Sequence, residues 1–393
     1  MSERSRREFF EDCSKAVAGA AVATLGLAAE ARAFPTGMRE ARYYQKLPGN
    51  RVQCTLCPCS PFCSREVLTS KRLTHACNGG LLLDGQTCVC NVRTNVGGTL
   101  YATNYGRAGM LAAEPVEKNP LHHFLPGLRA LTVSAPGCSL ACKGCQNWEM
   151  ALAATDQVRT AEASPERVVQ LALEQRCGAI AFTYSEPMMF YEYMSDIARL
   201  ARQRGLLNAV ATCGYVNPEP LRELCGLVDA FTVSVKAFDD QAYMGYARGT
   251  LATVQKAMQT IRDSGRWLEV AVLVVPTVSD DPGAMRGFLR WMKASLGPDT
   301  PVHFLRFWPS YKLKNLPQTP VKVLDDARAM ALAEGLRFAY LGNLPGHNGA
   351  NTYCPNCQAT AIRRLGFALA ADDTRGGACS YCGHVLPGVW RKA

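Results

Sequence analysis

Three cysteines fall within eight positions of the stretch APGCSLACKGCQNWEMA, residues 135–151. They are Cys138, Cys142 and Cys145, in the pattern C-x3-C-x2-C. Thiolates are the usual ligands of iron–sulfur clusters, and three of them leave one iron of a [4Fe–4S] cube open to another ligand. The spacing also allows a zinc site with a remote fourth ligand, or a disulfide with one remaining thiol.

A second group of cysteines lies near the carboxyl end. It consists of two C-x2-C pairs, Cys354 with Cys357 and Cys379 with Cys382, separated by 21 residues. This spacing is typical of a structural zinc site with four thiolates. Two disulfides and an auxiliary iron–sulfur cluster are the alternatives.

A third group comprises seven cysteines between positions 54 and 90, among prolines, glycines and polar residues. This composition predicts a loop-rich module held together by disulfides or by metal. An odd number would leave one thiol unpaired if all the bonds were disulfides, which favours metal. The three groups together hold 14 of the 18 cysteines in the chain.

The composition of the 393-residue chain is that of a soluble globular protein, with 48% hydrophobic and 19% charged residues. The net charge of +10 is spread along the sequence without a basic run, so we expect no nucleic-acid partner. Beyond the amino-terminal 33 residues, no apolar run is long enough for a membrane span.

The amino terminus has the parts of an export signal. Arg6 and Arg7 precede an uncharged, alanine-rich run from Ala16 to Ala29, and ARA at 31–33 supplies a small-x-small cleavage pattern. Together they resemble a twin-arginine signal, the route for proteins exported already folded. An alanine-rich amphipathic or disordered tail is the alternative.

Between residues 129 and 345, short apolar runs alternate with helical patterns. Seven runs predict strands: 130–135, 179–184, 208–213, 230–235, 268–275, 301–307 and 337–342. Helix candidates between them include 164–176, 251–264 and 323–335. Buried strands alternating with helices predict an α/β fold with parallel β/α units, and seven strands favour a partial or full barrel over an open sheet. In such barrels the chemistry lies on loops at the carboxyl ends of the strands, and Cys138 follows the first strand.

Nine motifs, kept in order from about Tyr43 to the carboxyl terminus, resemble one protein family. They are RVQCTLCP, GTLYATNYGRA, EPVEKNPLHHFLPG, PGCSLACKGCQNWE, FTYSEPMMFYEY, NPEPLRE, LGPDTPVHFLRFWPSYKL, GNLPGH and NTYCPNC. The family is the radical S-adenosylmethionine (SAM) enzyme of the AmmeMemoRadiSam system, which is related to the pyruvate formate-lyase activating enzymes.

The resemblance implies a radical SAM oxidoreductase. In this family Cys138, Cys142 and Cys145 would ligate the [4Fe–4S] cluster, and the methionine part of SAM would chelate the open iron. One-electron reduction would cleave SAM to a 5′-deoxyadenosyl radical, which abstracts hydrogen from a substrate. The substrate is unknown, a protein or peptide being one candidate.

Further site residues follow from the same resemblance. The YSEP motif implies that Glu186 binds the SAM amino group, and SVK implies SAM contacts from Ser234 and Lys236, with Ser234 in place of the family's aspartate. The amino-terminal cysteines that match the family are candidates for a second metal site: Cys54, Cys57, Cys63 and Cys90. Three others are additions in this chain: Cys59, Cys77 and Cys88.

The strand 301–307 carries His303 and Arg306, which we expect at the barrel mouth, a satisfied structural histidine being an equal alternative for His303. Asn343 and His347 are candidates for the substrate end. Departures from the family pattern are Gly144 in place of an aromatic residue, TCG at 212–214 in place of Thr-Asn-Gly, and Trp308 in place of histidine.

The predicted organisation is a signal peptide at 1–33, a cysteine-rich module at 34–128, a radical SAM barrel at 129–345 and a ribbon-like four-cysteine module at 346–393. The resemblance implies AMMECR-type and Memo-type partner proteins and an external low-potential electron donor. The leader favours the periplasm, whereas the need for SAM favours the cytoplasm. Alternative functions are a glycyl-radical-enzyme activase and an exported, non-enzymatic metal or redox protein.

Overall fold

A computed structural model describes residues 37–58 and 79–390 of the chain. The predicted export signal, residues 1–33, lies outside the described residues. Three cysteines of the amino-terminal group lie outside them as well: Cys59, Cys63 and Cys77.

The amino-terminal part is built from short antiparallel strands. These are β1 Gly37–Glu40, β2 Tyr44–Leu47, β3 Arg51–Cys54, β4 Leu81–Leu82, β5 Arg93–Val96, β6 Thr99–Tyr105 and β7 Arg107–Ala108. The first six form two three-stranded sheets, with the orders β1-β6-β5 and β2-β3-β4. Along β3 and β6, buried side chains alternate with more exposed ones.

One eight-stranded sheet dominates the molecule. Its strands are β8 Met110–Pro115, β9 Arg129–Ser134, β11 Ala179–Phe182, β12 Leu207–Thr212, β13 Ala230–Val235, β14 Trp267–Val274, β15 Val302–Arg306 and β16 Ala339–Gly342. The order β16-β15-β14-β13-β12-β11-β9-β8 follows the chain, and every pair is parallel except β8 with β9. All seven predicted strands are confirmed. The edge strands β8 and β16 are not paired with each other, so hydrogen bonds do not close the sheet into a full barrel.

Helices connect the parallel strands. They are α1 Trp148–Ala151, α2 Pro165–Glu174, α3 Tyr191–Gln203, α4 Pro218–Cys225, α5 Asp240–Ala247, α6 Leu251–Asp263, α7 Pro282–Leu296 and α8 Val321–Ala333. The start of α2 is as the sequence predicts: the Ser164 hydroxyl accepts the main-chain N–H of Arg167, and Pro165 occupies the first turn. A short strand, β10 Ala161–Glu162, pairs with β7.

Small side chains line one face of the sheet at the amino ends of its strands. They are Ala130, Ala179, Ala209 and Ala230. Leu121 and Phe124, from the segment between β8 and β9, are fully buried against these alanines. Larger side chains there would fill the same space, so the alanines allow this segment to close the amino-end opening of the sheet.

Glu269 is a fully buried carboxylate near the amino end of β14. It accepts the main-chain N–H groups of His122 and His123, at 3.0 and 2.8 Å. It also accepts the indole N–H of Trp267 at 3.0 Å and contacts Nε2 of His303 at 2.7 Å. The carboxylate therefore fixes the closing segment to the two strands β14 and β15.

Burial is the largest influence on Glu269 and opposes its ionisation. The hydrogen bond and charge of His303, and then the charge of His123, outweigh burial and lower the pKa of Glu269 to about 2. Burial lowers the pKa of His122 well below its usual value and that of His123 to about 4. At neutral pH the Glu269 carboxylate is therefore ionised.

The carboxyl-terminal part covers the same opening. Its strands are β17 Thr352–Tyr353, β18 Thr360–Leu365, β19 Ala368–Asp372, β20 Thr374–Arg375 and β21 Ala378–Cys379. Main-chain hydrogen bonds of 2.8 Å join Leu125 and His123 to Val389. The guanidinium of Arg364 donates to the carbonyl of His122 at 2.7 Å. None of the described helices has the length and apolar character needed to cross a membrane.

The substitution E269Q tests the role of the buried carboxylate. An amide presents one N–H to groups that are themselves donors, so we expect a loss of about 3 kcal/mol in the free energy of unfolding at pH 7. Because the pKa of Glu269 is lowered from 4.5 to about 2, its ionisation stabilises the fold above pH 4.5 and ceases to do so as the pH falls towards 2. Urea denaturation should therefore show wild type and variant converging in acid.

The control is E174Q, since Glu174 is an exposed partner of Arg167 and such pairs contribute between about 0 and 1 kcal/mol. An E269Q defect of the same size at pH 7 and at pH 3 would contradict the assignment.

Candidate metal centre

The three-cysteine loop leaves the carboxyl end of β9, at the opposite end of the sheet from Glu269. Gly137 begins the loop with φ of +109°, and a side chain there would come within 2.6 Å of Val92 and 3.2 Å of the Cys90 carbonyl. Glycine is therefore required both by the backbone conformation and by contact with the amino-terminal part.

The far side of the loop is held by the carboxyl end of α5. Ala141 donates its main-chain N–H to the carbonyl of Ala247 at 2.9 Å, and Lys143 donates to that of Tyr246 at 3.0 Å. Because contacts hold both sides of the loop, the fold sets the positions of its three thiols.

The thiols of the loop are half-buried, and burial raises their pKa values. The pKa of Cys138 is raised well above its usual value, first by a hydrogen bond with the Cys213 thiol and then by burial. Burial raises the pKa of Cys142 to about 12 and also raises that of Cys145, while the charge of Lys236 acts in the opposite direction on both. Binding a metal there requires the thiols to lose their protons, and Lys236 is the nearby cation that favours this.

Glu186 is buried beside the cysteine loop. Its main-chain N–H donates to the carbonyl of Gly137 at 3.2 Å. Its carboxylate accepts the main-chain N–H groups of Met188 at 3.2 Å and Cys213 at 2.7 Å, and the hydroxyl of Thr212 at 2.6 Å. A carboxylate has about four acceptor positions, so one remains for a donor from a bound molecule.

Ser234 and Lys236 lie at the carboxyl end of β13, and both are half-buried. The carboxyl end of the sheet therefore carries the three residues predicted to contact SAM, which are Glu186, Ser234 and Lys236, together with the cysteine loop. Lys236 lies close enough to Cys142 and Cys145 to affect their ionisation. Within the described residues, no hydrogen bond joins the Ser234 hydroxyl to these groups.

Tyr243, in α5, provides a test of whether the site suits a cluster with a bound ligand. It is fully buried, and its hydroxyl has no well-formed hydrogen bond within the described part of the chain. Burial first, and then the charges of Cys213 and Cys142, raise its pKa well above the usual value. The Lys236 main chain is a hydrogen-bond neighbour of this hydroxyl and acts in the opposite direction on its pKa. Three thiols beside a lysine, with a buried carboxylate that has an acceptor position left, are a donor set that fits a [4Fe–4S] cluster with its fourth iron open to a ligand.

The glycine at position 144 has a packing cause. A side chain there would come within 2.9 Å of the Phe307 ring and 3.0 Å of the Tyr246 hydroxyl. Phe307 is fully buried, so these two aromatic side chains already fill the volume that an aromatic residue at position 144 would need.

His303 does not lie at the mouth of the sheet. It is the second residue of β15 and contacts Glu269 at the amino-end opening, so its expected place at the mouth is wrong and the structural alternative holds. Arg306 ends the same strand and lies over the Trp308 ring at 5.1 Å, at the end that carries the cysteine loop. Asn343 donates to the Arg306 carbonyl at 3.2 Å, whereas His347 lies 3.4 Å from Asp325 of α8.

The carboxyl-terminal cysteines form a compact group. Within residues 37–58 and 79–390, only Cys354, Cys357, Cys379 and Cys382 bring three or more metal-binding side-chain atoms within 4.8 Å of one another. Their closest sulfurs are 3.6 and 3.8 Å apart, whereas a disulfide bond is about 2.05 Å long.

Thiolates at about 2.3 Å from one tetrahedral ion lie about 3.8 Å apart, so the spacing of these four sulfurs fits a single ion. Hydrogen bonds, first from the Asn356 side chain and then from the His384 main chain, lower the pKa of Cys382 to about 6.

The amino-terminal cysteines are described only in part, because Cys63 lies outside the described residues. The Cys90 thiol is a hydrogen-bond partner of Cys88 and lies near Cys57, and its pKa is raised well above the usual value, first by Cys88 and then by burial. Cys54 and Cys90 both lie near the buried guanidinium of Arg93. Cys88, which the sequence sets apart as an addition, therefore belongs to this sulfur group.

The sequence profile of the radical SAM superfamily matches residues 132–289, which include the cysteine loop, Glu186 and Lys236. An uncharacterized protein of Methanocaldococcus jannaschii is 37% identical over 351 residues, which cover 89% of this chain and 99% of that protein. This chain belongs to the radical SAM superfamily. It is an enzyme of the radical SAM type, and membership of the superfamily implies a [4Fe–4S] cluster and SAM.

Other radical SAM proteins match smaller parts of the chain. The pyruvate formate-lyase-activating enzyme of Clostridium pasteurianum is 24% identical over 166 residues, 41% of this chain and 68% of that enzyme. A domain of a pyruvate formate-lyase-activating enzyme from Bacteroides vulgatus has a TM-score of 0.38 at 16% identity, and covers 42% of this chain and 99% of that domain.

Two residues of this radical SAM site were not among the predicted site residues. Cys213 has a weak sequence signal, since it is the last residue of the predicted strand 208–213, at the end where the cysteine loop lies. Tyr243 has none, because its position in a helix predicts burial but not the direction of its hydroxyl.

The substitution G144A tests the packing of the cluster loop. The added methyl group meets the Phe307 ring and the Tyr246 hydroxyl, so we expect a loss of about 1–3 kcal/mol in stability and less iron retained after reconstitution. Thermal unfolding and iron analysis measure the two effects. G245A is the matched control, because a side chain at Gly245 meets no atom within 4 Å. Equal iron loss in both variants would contradict this explanation.

Proposed function

We propose that this protein is a radical SAM oxidoreductase in which Cys138, Cys142 and Cys145 hold the [4Fe–4S] cluster. When bound, the cluster supplies the electron that cleaves SAM to the 5′-deoxyadenosyl radical, which abstracts hydrogen from the substrate. The observation that carries the proposal is the convergence of the three thiols with a buried carboxylate, a lysine and a buried tyrosine at one end of a parallel sheet.

Three side chains have proposed roles towards the cofactor. The remaining acceptor position of Glu186 binds the SAM ammonium group, since a carboxylate is the natural partner of that cation. Lys236 neutralises negative charge gathered by the thiolates and the cluster. Tyr243 donates its hydroxyl to a polar group bound between them, and Ser234 offers a neutral hydroxyl where a carboxylate would add further negative charge.

The site lies against apolar side chains. Cys138 and Cys142, which are partly buried, pack beside a continuous apolar core that includes Phe307 and Tyr246. A reactive carbon radical abstracts hydrogen from whatever group is nearest, so apolar surroundings limit side reactions.

The nine motifs support a narrower proposal, membership of the AmmeMemoRadiSam system. On that proposal the partners are AMMECR-type and Memo-type proteins with an external low-potential electron donor, and the substrate is a protein or peptide. The alternative activity is that of a glycyl-radical-enzyme activase. It is favoured by the similarity to the pyruvate formate-lyase-activating enzyme and to the benzylsuccinate synthase activating enzyme of Thauera aromatica.

The two outer cysteine groups have proposed structural roles. Zinc is the ion we propose for Cys354, Cys357, Cys379 and Cys382, because four thiolates around one ion make a closed structural site. A second metal site is proposed for Cys54, Cys57, Cys63 and Cys90. We propose that the twin-arginine leader directs export. Separating the cell fractions and detecting the mature chain in each of them tests this role.

The central activity is tested by anaerobic reconstitution with iron and sulfide, followed by SAM and dithionite. We expect 5′-deoxyadenosine in the wild type and none above background in C142A, because one of the three cluster ligands is lost. The control is C225A, since Cys225 is buried in α4 near Ser264 and Arg266, apart from the cysteine loop. A fully loaded wild-type protein that leaves SAM intact would refute the proposed reaction.

Metal analysis of variants separates the outer cysteine groups. We expect about one zinc per chain in wild type and in C138A/C142A/C145A, and a loss of zinc in C354S/C382S. The variant C54S/C57S should lower iron or zinc without affecting the cluster of the central site. Unchanged zinc in C354S/C382S, or unchanged iron and zinc in C54S/C57S, would count against the corresponding site.

A further inference from the structure

Aromatic side chains are exposed at the carboxyl end of the sheet, apart from the proposed SAM contacts. Trp148, in α1, is 36% exposed, and Trp308, just after β15, is 40% exposed. The ring of Trp148 stacks on that of Tyr311, with 5.0 Å between the ring centroids and 17° between the planes. The φ of Tyr311 is +50°, a conformation that is uncommon for residues other than glycine. The surrounding backbone therefore fixes where this ring lies.

The segment 308–314, which carries two of these aromatic residues, contacts the last part of the cysteine loop. The Ser310 hydroxyl donates to the carbonyl of Cys145 at 3.2 Å. The main-chain N–H of Lys312 donates to the carbonyl of Lys143 at 3.0 Å. Both acceptors belong to the main chain of the loop, so the exposed aromatic group has a fixed place beside the third cysteine.

The start and the end of the cysteine loop have different neighbours. Glu186, the proposed partner of the SAM ammonium group, donates its main-chain N–H to Gly137 at the start of the loop. The segment 308–314 contacts the end of the loop, at Lys143 and Cys145. A molecule bound to the aromatic group would therefore lie against a proposed cluster ligand without entering the space beside Glu186.

Positive charge surrounds the exposed rings. Lys143, Lys312 and Lys314 are exposed, and none of them forms a salt bridge within the part of the chain that the structure describes. Glu149 is the one acidic residue in the same two stretches of sequence, 143–149 and 308–314. Lysines therefore outnumber carboxylates there by three to one, and the surface suits an anionic partner.

Two cations lie over the exposed rings. Lys312 Nζ is 5.4 Å from the centroid of the Tyr311 ring, and the Arg306 guanidinium is 5.1 Å from that of Trp308. Arg306 donates through Nε to the carbonyl of Thr319 at 2.8 Å, and its two terminal nitrogens have no acceptor within the described residues. We call the whole group the aromatic rim, which consists of Trp148, Trp308, Tyr311, Lys143, Lys312, Lys314 and Arg306.

We propose that the aromatic rim is the docking surface for a small acidic protein that carries single electrons at low potential. This inference rests on the proposed function, because it requires a cluster beside Cys145. Unpaired cations attract an acidic surface and speed its approach, while Trp, Tyr and Arg are the residues that most often anchor protein interfaces.

The proposed step transfers one electron and no atom. The reduced carrier loses one electron and the [4Fe–4S] cluster gains it, after which the same electron breaks a carbon–sulfur bond of SAM. An acidic segment of a protein substrate would suit the same charges. The carrier is favoured because the rim contacts the loop at Cys145, whereas a substrate must reach the SAM beside Glu186.

The experiment uses the full-length, anaerobically reconstituted protein, with recombinant flavodoxin, an acidic flavin protein, as the probe. Formation of 5′-deoxyadenosine is measured against the concentration of fully reduced flavodoxin, and separately with saturating dithionite, a small reductant that needs no docking. Calorimetry measures the Kd of oxidised flavodoxin, a readout that does not depend on SAM cleavage.

The test variant is K312E/K314E, and K256E/K293E is the matched control. The control changes the net charge equally, at exposed lysines of α6 and α7 that form no salt bridge within the described residues. A further variant, W308A, removes one exposed ring without changing the charge.

We expect K312E/K314E to cleave SAM at the wild-type rate with dithionite. Its Kd and KM for flavodoxin should both rise about tenfold at low salt, and the difference should shrink as added salt screens the charges. W308A should also bind flavodoxin more weakly, with the salt dependence of wild type. K256E/K293E should match wild type in every measurement.

Three outcomes overturn the inference. A wild-type Kd and KM for flavodoxin in K312E/K314E leaves the rim to an acidic substrate segment. An equal loss in K256E/K293E shows that the net charge of the chain, not the rim, controls binding. A wild type that cleaves SAM with dithionite but neither binds flavodoxin nor accepts its electrons has no docking surface for such a carrier.

The dithionite measurement separates failure of the inference from failure of the proposed function. A fully loaded wild type that leaves SAM intact with dithionite removes both. Cleavage with dithionite in every variant, at one unchanged Kd and KM for flavodoxin, removes only the docking role of the aromatic rim.

Discussion

Hydrogen bonds from main-chain amides to a buried carboxylate hold both ends of the parallel sheet. At the amino end, Glu269 accepts two consecutive N–H groups of the closing segment. At the carboxyl end, Glu186 accepts N–H groups from the loops after β11 and β12. A buried charge is tolerated only when such donors satisfy it, so each carboxylate fixes the segments that supply them. The candidate metal centre depends on the hydrogen bonds of Glu186.

The strands, the first turn of α2 and the cysteine groups could be predicted, because each depends on residues close together in the sequence. The place of Cys213 could not, since its contact with Ser139 requires β9, β11 and β12 to be adjacent. For His303, one of the two places left open could have been excluded from the sequence. His303 is the second residue of its strand and Arg306 is the last, so the direction of the chain alone assigns them to opposite ends of the sheet.

The cysteine groups differ in spacing in a way that matches different metal chemistry. The four carboxyl-terminal sulfurs crowd around one point, as ligands of a single ion do. The three cysteines of the central loop do not form such a compact group, and in a [4Fe–4S] cube each thiolate binds a different iron. The carboxyl-terminal cysteines lie in two tight turns, whereas the central cysteines lie in one loop that is anchored on two sides.

The contact between the closing segment and Val389 has a consequence for the order of assembly. Residues 123–125 precede seven strands of the eight-stranded sheet, whereas their partner Val389 follows all of them. Until Val389 packs against it, the alanine face at the amino ends of the strands lacks part of its cover, and exposed apolar surface of this kind favours aggregation during folding. The amino-end opening is therefore sealed late, after the strands that form it have been made.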